Sequence, residues 1–308
     1  MADDEHHDVV VIGGGPAGVS AALECHDIGL GVVVLEAGTR LGGQLPEIAH
    51  SVRNVAAGRF ADGEALRAAM EESAALLGDR VRLSHRVTQV DVDDRSVEVD
   101  GRRFRCRALL VAGGTRRQFL PAAVDGAFGG DVTYQIESQP GRLAGRRVVV
   151  IGGGDSAALD ALELAASGSS VTVVHRSPSL TARQDIVDKV VADPRVETVG
   201  GWQLEGVRGD DRLQEVILVN PTTDDRRTLA AGGLVVKIAR LPSTDLFGGA
   251  LELDRRGALV VDRELRSSRP GVYAAGDITA GAYARVATAM GQGVLAARSL
   301  LRHLQGRP

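Results

Sequence analysis

The stretch that most constrains this chain is 8–36, DVVVIGGGPAGVSAALECHDIGLGVVVLE. Residues 8–12 are a short apolar run rich in β-branched side chains, the pattern of a parallel strand buried on both faces. Gly13, Gly15 and Gly18 follow as a G-x-G-x-x-G that encloses Pro16 and Ala17, and the last glycine opens a helical pattern with Val19, Ala22 and Leu23. A second apolar run, 32–35, ends at Glu36. A G-x-G-x-x-G alone is common, but here the strand before it, the helix after it and the acid beyond are all in place. The combination predicts a dinucleotide-binding βαβ unit. Its glycines permit a tight turn and close backbone approach, its helix N-terminus holds a pyrophosphate, and its acid takes a ribose hydroxyl.

The same grammar restarts after residue 146. An apolar strand over 147–151 meets Gly152-Gly153-Gly154-Asp155-Ser156-Ala157, a G-x-G-x-x-A, then a helix over 158–166 and a strand over 171–174 ending at His175-Arg176. Each βαβ unit leads into short strands: 81–83, 87–92, 96–99 and 104–111 in the first half, and 204–207, 213–219 and 234–238 in the second. A helix is expected over 62–77, and an irregular polar segment from 41 through Asn54. Asp100-Gly101 reads as a hairpin turn. The chain closes with a strand running into Ala275-Gly276-Asp277 and a helix over 286–304. The fold class is therefore α/β, with two Rossmann-like dinucleotide-binding domains. Two such units call for two dinucleotides. A retained flavin and an exchangeable nicotinamide form the simplest pair, because a flavin accepts a hydride and passes on one or two electrons.

Other classes are disfavoured by composition. A net charge of −4 and an aromatic content of 3% argue against nucleic-acid binding. No apolar run approaches ~18 residues, so no membrane span is expected. The leader MADDEHHD is acidic and unlike a signal peptide, which points to a cytoplasmic protein. The two cysteines, Cys25 and Cys106, lie far apart and in no C-x-x-C or metal-like spacing. One falls in a predicted helix and one in a predicted strand, so both read as packing residues, and no metal site is expected.

Taken in order, Gly13–Gly18 with Glu36, Gly42-Gly43-Gln44-Leu45, Asn54, the 152–157 motif, His175-Arg176 and AAGDIT at 274–279 resemble thioredoxin reductase and its relatives over nearly the whole chain. The resemblance implies an FAD domain over 1–116 and 244–308, with an NAD(P)H domain over 117–243 inserted in it. It places Gly13, Gly15, Pro16, Ala17 and Gly18 at the FAD pyrophosphate and Glu36 on the adenosine ribose. Gln44 and Asn54 go near the isoalloxazine, Gly276 and Asp277 on the ribityl–phosphate arm, and Gly113 beside them. Arg285 and Val286 open the last helix, whose dipole suits a reduced, anionic flavin. Gly152, Gly154, Asp155, Ser156, His175, Arg176 and Arg183 fall to NAD(P)H, and a homodimer is usual among the relatives.

Three departures narrow the function. Where the relatives carry a redox-active C-x-x-C before the second glycine motif, this chain reads Tyr134-Gln135-Ile136-Glu137-Ser138-Gln139. Without thiols at those positions nothing there attacks a disulfide, which excludes thioredoxin reduction by the family mechanism. At the nicotinamide site Arg176 is retained, while Ser177 and Thr181 stand where relatives have arginines. No acid ends the 171–174 strand, which favours NADPH over NADH. His175 reads as a packing or adenine-contact residue. Cysteine-less relatives acting as ferredoxin–NADP reductases usually add a C-terminal aromatic over the flavin, but no Phe, Trp or Tyr follows Tyr283 here. His50 and Tyr134 are then the ring candidates. The expected acceptor is a ferredoxin or flavodoxin, or a small organic molecule. In the latter case Tyr134, Gln135, Glu137 and Ser138 line the substrate side, and Glu137 moves a proton if burial raises its pKa. The alternatives are a flavin oxidase or dehydrogenase reduced by its own substrate, with a vestigial NAD(P)H site, and a non-enzymatic flavin redox sensor.

Overall fold

The repeated strand–glycine–helix pattern produces two parallel sheets, one in each of two units. The computed structural model describes residues 4–120, 128, 130–136, 141–238 and 240–306. The chain divides into Met1–Arg116 with Arg240–Pro308, and Arg117–Ala239.

The first unit begins with β1 (Glu5–Ile12), α1 (Pro16–Asp27) and β2 (Val32–Leu35), followed by β3 (Val52–Val55), β4 (Gly58–Phe60) and α2 (Gly63–Ala74). Next come β5 (Val81–Arg82), β6 (Gln89–Asp91), β7 (Ser96–Val99), β8 (Arg102–Val111) and β9 (Thr115–Arg116). The sheet order is β5-β2-β1-β8-β7-β6, and β1 runs parallel to both β2 and β8. Strands buried on both faces need a cover on each. Val9, Val11, Val34 and Leu110 pack with α1 and the C-terminal helix, whereas Val10, Val33, Leu109 and Val111 pack with Phe247, Leu251 and Leu259. The β7–β8 hairpin turns at Asp100 and Gly101, both with positive φ, as a two-residue turn of the expected kind requires.

The helix expected over 62–77 is shorter. Asp62 caps it by accepting from the Ala65 N–H at 2.8 Å, and after Ala74 it tightens into a 3₁₀ segment broken at Gly78, φ +56°. The segment expected to be irregular through Asn54 ends instead in the β3–β4 hairpin, held by the buried Val52 and Val55.

The second unit holds β10 (Val132–Thr133), β11 (Arg147–Ile151), α3 (Asp155–Ala166), β12 (Ser170–His175), α4 (Gln184–Ala192) and β13 (Val196–Gly200). The meander β14 (Gln203–Gly209), β15 (Leu213–Val219) and β16 (Arg226–Ala230) leads to β17 (Gly233–Val236). Its parallel sheet is ordered β10-β17-β11-β12-β13, and β14-β15-β16 form a separate antiparallel sheet. One face of the parallel sheet packs Val148, Val150 and Val235 on α3, and the other packs Val149, Ile151 and Leu234 on Val216 and Leu218 of β15. Helix α4 and strands β13 and β16 escape the sequence pattern because each carries few buried side chains; α4 buries only Ile186 and Val190. Just before β10, the buried Asp131 carboxylate accepts from Arg146, Arg212 and the Leu213 N–H at 2.7–3.2 Å, joining the two sheets.

The chain re-enters the first unit at β18 (Leu241–Pro242), continues through β19 (Val272–Ala274) and ends in α5 (Val286–Leu304). Strand β18 pairs antiparallel with β9, which puts 241–242 with the first unit although the expected boundary lay at 243. Strand β19 adds to β8 in parallel. Helix α5 lies so close to α1 that a methyl group on Gly293 would overlap the Ala17 carbonyl oxygen. No described helix is long and apolar enough to cross a membrane.

Candidate functional site

Ligands of open α/β sheets bind beyond the carboxyl ends of the strands, and each unit carries a glycine turn there. In the first unit β1 ends at Gly13, whose φ of +104° and close approach to the Ala112 carbonyl, 2.5 Å from where a Cβ would stand, exclude a side chain. A methyl on Gly18 would overlap the Gly13 carbonyl oxygen, so this glycine fixes the approach of α1 to its strand. Gly15 is the N-cap of α1 and has open space around it. It has no side chain to cap the helix and Pro16 has no N–H, so the first-turn N–H groups from Ala17 onward remain available to an anion.

Glu36 follows β2 and accepts from the Gly14 and Gly38 N–H groups, each at 2.6 Å. These bonds hold the carboxylate beside the glycine loop. On the other side of β1, Gly113 and Gly114 follow β8, and Ala275-Gly276-Asp277 follows β19. Gly276, with φ +83°, lies against Ala17, and its N–H donates to Gln292 Oε1 of α5 at 2.7 Å. Burial raises the pKa of Asp277, and the Arg240 guanidinium acts in the opposite sense.

Gln44 donates to Thr115 Oγ1 at 3.0 Å, and Arg240 reaches the same residue through Nε and NH2 while NH1 donates to Glu47. Asn54 lies exposed on β3, His50 is exposed just before it, Arg285 is the N-cap of α5, and Val286 is its first residue. Arg240, Thr115 and Gln292 belong to this site but were missed in the sequence. Their signal was slight: Gln292 is a polar residue between two glycines on an apolar helix.

In the second unit Gly152 takes φ +144°, and a methyl there would overlap the Lys237 carbonyl oxygen. Gly154 caps α3 with open space around it, as Gly15 does in the first unit. The Asp155 carboxylate accepts from the Arg183 N–H at 2.8 Å, and the Arg183 guanidinium lies between Asp155 and Asp185, at 3.7 and 3.4 Å. Ser156 and Arg176 are exposed. His175 is buried, its Nδ1 is 2.8 Å from the Ser177 carbonyl oxygen, and its ring abuts Gly153 and Gly200. Thr181 donates twice to the Gly153 carbonyl and folds the 177–183 loop onto the glycine turn.

Tyr134 and Gln135 follow β10. The Tyr134 hydroxyl accepts from the Leu120 N–H at 2.8 Å, Phe119 packs edge-on at 5.1 Å, and the Arg117 guanidinium lies 5.6 Å from the ring. The Gln135 N–H and carbonyl both bond the Thr133 hydroxyl. Glu137 and Ser138 lie outside the described residues. Both cysteines are in the first unit. Cys25 is fully buried in α1 and Cys106 donates to the Arg95 carbonyl at 3.1 Å. Burial pushes each thiol up to about 12.

The family model for the pyridine nucleotide-disulphide oxidoreductases matches residues 7–293. A "34.2 kDa protein in rubredoxin operon" from Clostridium pasteurianum is 27% identical, with all of both chains covered. An NADH dehydrogenase from Ferdinandcohnia aciditolerans is 29% identical over 99% of this chain and 59% of its own length. Among solved structures, Lactococcus lactis thioredoxin reductase in its FR conformation superposes with a TM-score of 0.85 at 27% identity, covering 97% of this chain and 99% of that one. Such relatives imply FAD and NAD(P)H as the cofactors. The first unit fits a flavin dinucleotide on its own geometry. It has an uncapped helix N-terminus, open space at Gly15 and a carboxylate fixed at the end of β2.

Proposed function

The chain belongs to the pyridine nucleotide-disulphide oxidoreductase family, and on that premise we propose that it is an FAD-dependent NAD(P)H oxidoreductase whose acceptor is not a disulfide. One observation carries the second half of this reading. The chain has two cysteines, far apart in the sequence, each held as a neutral thiol by burial. A disulfide reductase needs a thiolate at the flavin, and a thiol with a pKa of about 12 supplies almost none near neutrality.

Bound FAD supplies hydride acceptance and one- or two-electron release. The protein's part is to hold the reactants and tune their charge. In this reading the first unit is the FAD domain. The N-terminus of α1 takes the pyrophosphate, Glu36 the adenosine ribose, and Asp277 the ribityl–phosphate arm. Arg240, fixed by Thr115 and Glu47, places a cation beside Gln44. The second unit is the NAD(P)H domain, with the pyrophosphate at α3. Arg176 is the exposed cation after β12 available to a 2′-phosphate, which supports NADPH. Arg183 is already engaged by two carboxylates. Among acceptors, the relative named for a rubredoxin operon favours a protein electron carrier over a small organic molecule.

Anaerobic stopped-flow mixing with NADPH and with NADH tests the reductive half directly. Bleaching of the flavin by either nucleotide is expected, faster with NADPH, together with no thioredoxin or dithiobis-nitrobenzoate reduction. Prior alkylation of thiols is expected to leave the bleaching rate unchanged. Flavin that stays oxidised with both nucleotides, or turnover lost on alkylation, would sink the proposal.

Asp277 offers a second test. Its folded pKa lies above its unfolded one, so the carboxyl penalises the flavin-free fold as pH rises through that raised value. Asp277→Asn removes this penalty together with a charged hydrogen-bond acceptor. The variant is expected to melt higher than wild type when flavin-free at pH 7.5, yet to bind FAD about tenfold more weakly. Calorimetric FAD titration and melting curves of the stripped proteins read the two effects separately.

A further inference from the structure

Among the described residues, the nucleotide unit contains a largely buried cation, Lys237, that the glycine motif does not account for. Only two of the 36 basic residues are lysines, Lys189 and Lys237. Lys237 immediately follows β17 at the carboxyl edge of the parallel sheet. Its N–H donates to the Ile151 carbonyl at 2.7 Å, and its own carbonyl oxygen stands where a side chain on Gly152 would go. The residue is thus the immediate neighbour of the first glycine of the phosphate-binding turn.

Along β17 side chains alternate between faces. Val235 packs with the α3 side and Val236 with the other, so Lys237 points to the α3 side. There its ammonium lies 2.9 Å from Asp160 Oδ2, in the second turn of α3. The Lys237 side chain is 15% exposed and that of Asp160 7%. An ammonium has three N–H donors, and among the described residues only Asp160 is paired with this one. Burying a charge at such cost without filling its donors is poor economy for a purely structural pair.

Its position says what fills them. In the order β10-β17-β11-β12-β13, β12 with His175 and Arg176 lies on one side of the glycine turn after β11, and β17 lies on the other. A dinucleotide crossing the carboxyl edge with its pyrophosphate at that turn places its adenosine half over β12 and its nicotinamide half over β17. We infer that Lys237, oriented by Asp160, binds the nicotinamide half of the dinucleotide through its phosphate and ribose oxygens. The residue is then a determinant of affinity for the whole dinucleotide and makes no contribution to the adenosine half. A compact ammonium suits this place better than a guanidinium, because it turns three donors between a fixed carboxylate and a ligand oxygen. This inference rests on the reading of the second unit as the NAD(P)H domain.

The test compares whole and half ligands on the flavin-loaded protein by titration calorimetry, using NADP⁺, NAD⁺, AMP and adenosine 2′,5′-bisphosphate. Lys237→Met is expected to weaken binding of whichever dinucleotide the wild type prefers about tenfold or more, and to leave the adenosine ligands within about twofold. Because removing one partner leaves Asp160 buried without its cation, the double variant K237M/D160L is measured alongside. It replaces the pair with apolar groups and is expected to show the same split. A residue that merely supports the fold would lower both ligand classes together, and that result overturns the inference. So does unchanged dinucleotide affinity in the double variant. Wild-type protein that binds neither class would instead remove the NAD(P)H-domain reading itself, and this inference with it.

Discussion

Gly18→Val is expected to purify without flavin and to melt roughly 10 °C below the wild type. The reason is packing. A methyl at position 18 already overlaps the Gly13 carbonyl oxygen and comes within 3.2 Å of Val11 Cγ1. Helix α1 would have to lift from β1, and it has little room to do so, because α5 packs on it so closely that a methyl on Gly293 would overlap the Ala17 carbonyl oxygen and lie 3.0 Å from the Ala21 nitrogen. Overpacking of this kind costs about 3 kcal/mol, and the shift follows from the usual few degrees per kcal/mol in a chain of this size. The ratio of flavin to protein absorbance reads the first effect and a melting curve the second. Gly15→Ala is the informative contrast. Its side chain enters open space, so the fold is expected to survive while the pyrophosphate is crowded. A yellow Gly18→Val protein with unchanged melting would mean that α1 does not approach its strand as described.

The same contrast explains what could be read from the chain alone. The two glycine turns are local: strand, turn and helix are written within about thirty residues, and the backbone conformations of Gly13 and Gly152 follow from that local pattern. The hairpin at Asp100-Gly101 and the helix ending the chain were legible for the same reason. The 177–183 loop was not. The sequence offered Arg183 as a phosphate ligand, whereas the structure places its guanidinium between Asp155 and Asp185, one of them distant in sequence. Arg240 with Glu47 and Thr115, Gln292 with Gly276, and Lys237 with Asp160 are likewise pairs formed only by the fold. No periodicity marks such partners, because each pair joins residues far apart in the sequence. Gln135, by contrast, carried its information in the sequence through the absence of a thiol, which needs no coordinates.

The same kind of long-range pair governs the stability of the second unit, where Asp131→Asn is expected to destabilise by about 3 kcal/mol at pH 7.5. The Asp131 side chain is 1% exposed and receives Arg212 in a two-pronged contact at 2.7 and 2.9 Å, Arg146 at 2.8 Å and the Leu213 N–H at 3.2 Å. Burial pulls its pKa up, but these donors outweigh burial and hold the carboxyl below the ordinary range. An amide neutralises the acceptor and turns its own N–H₂ toward one of the guanidinium groups. Both arginines keep a route to solvent, with side chains 56% and 32% exposed, so the cost stays at the lower end for a broken buried pair. The sign of the pH dependence follows. A folded pKa below the unfolded value of about 3.9 gives stability that is present above that value and lost as pH falls through the folded one. The gap between wild type and Asp131→Asn is therefore full at neutrality, begins to close near pH 4 and continues to shrink below it. Melting curves followed by far-ultraviolet circular dichroism at pH 7.5 and at pH 3.5 measure that gap. A difference that is absent at pH 7.5, or equally large at both, would show that the carboxylate charge is not what ties the β14-β15-β16 sheet to the nucleotide-binding sheet.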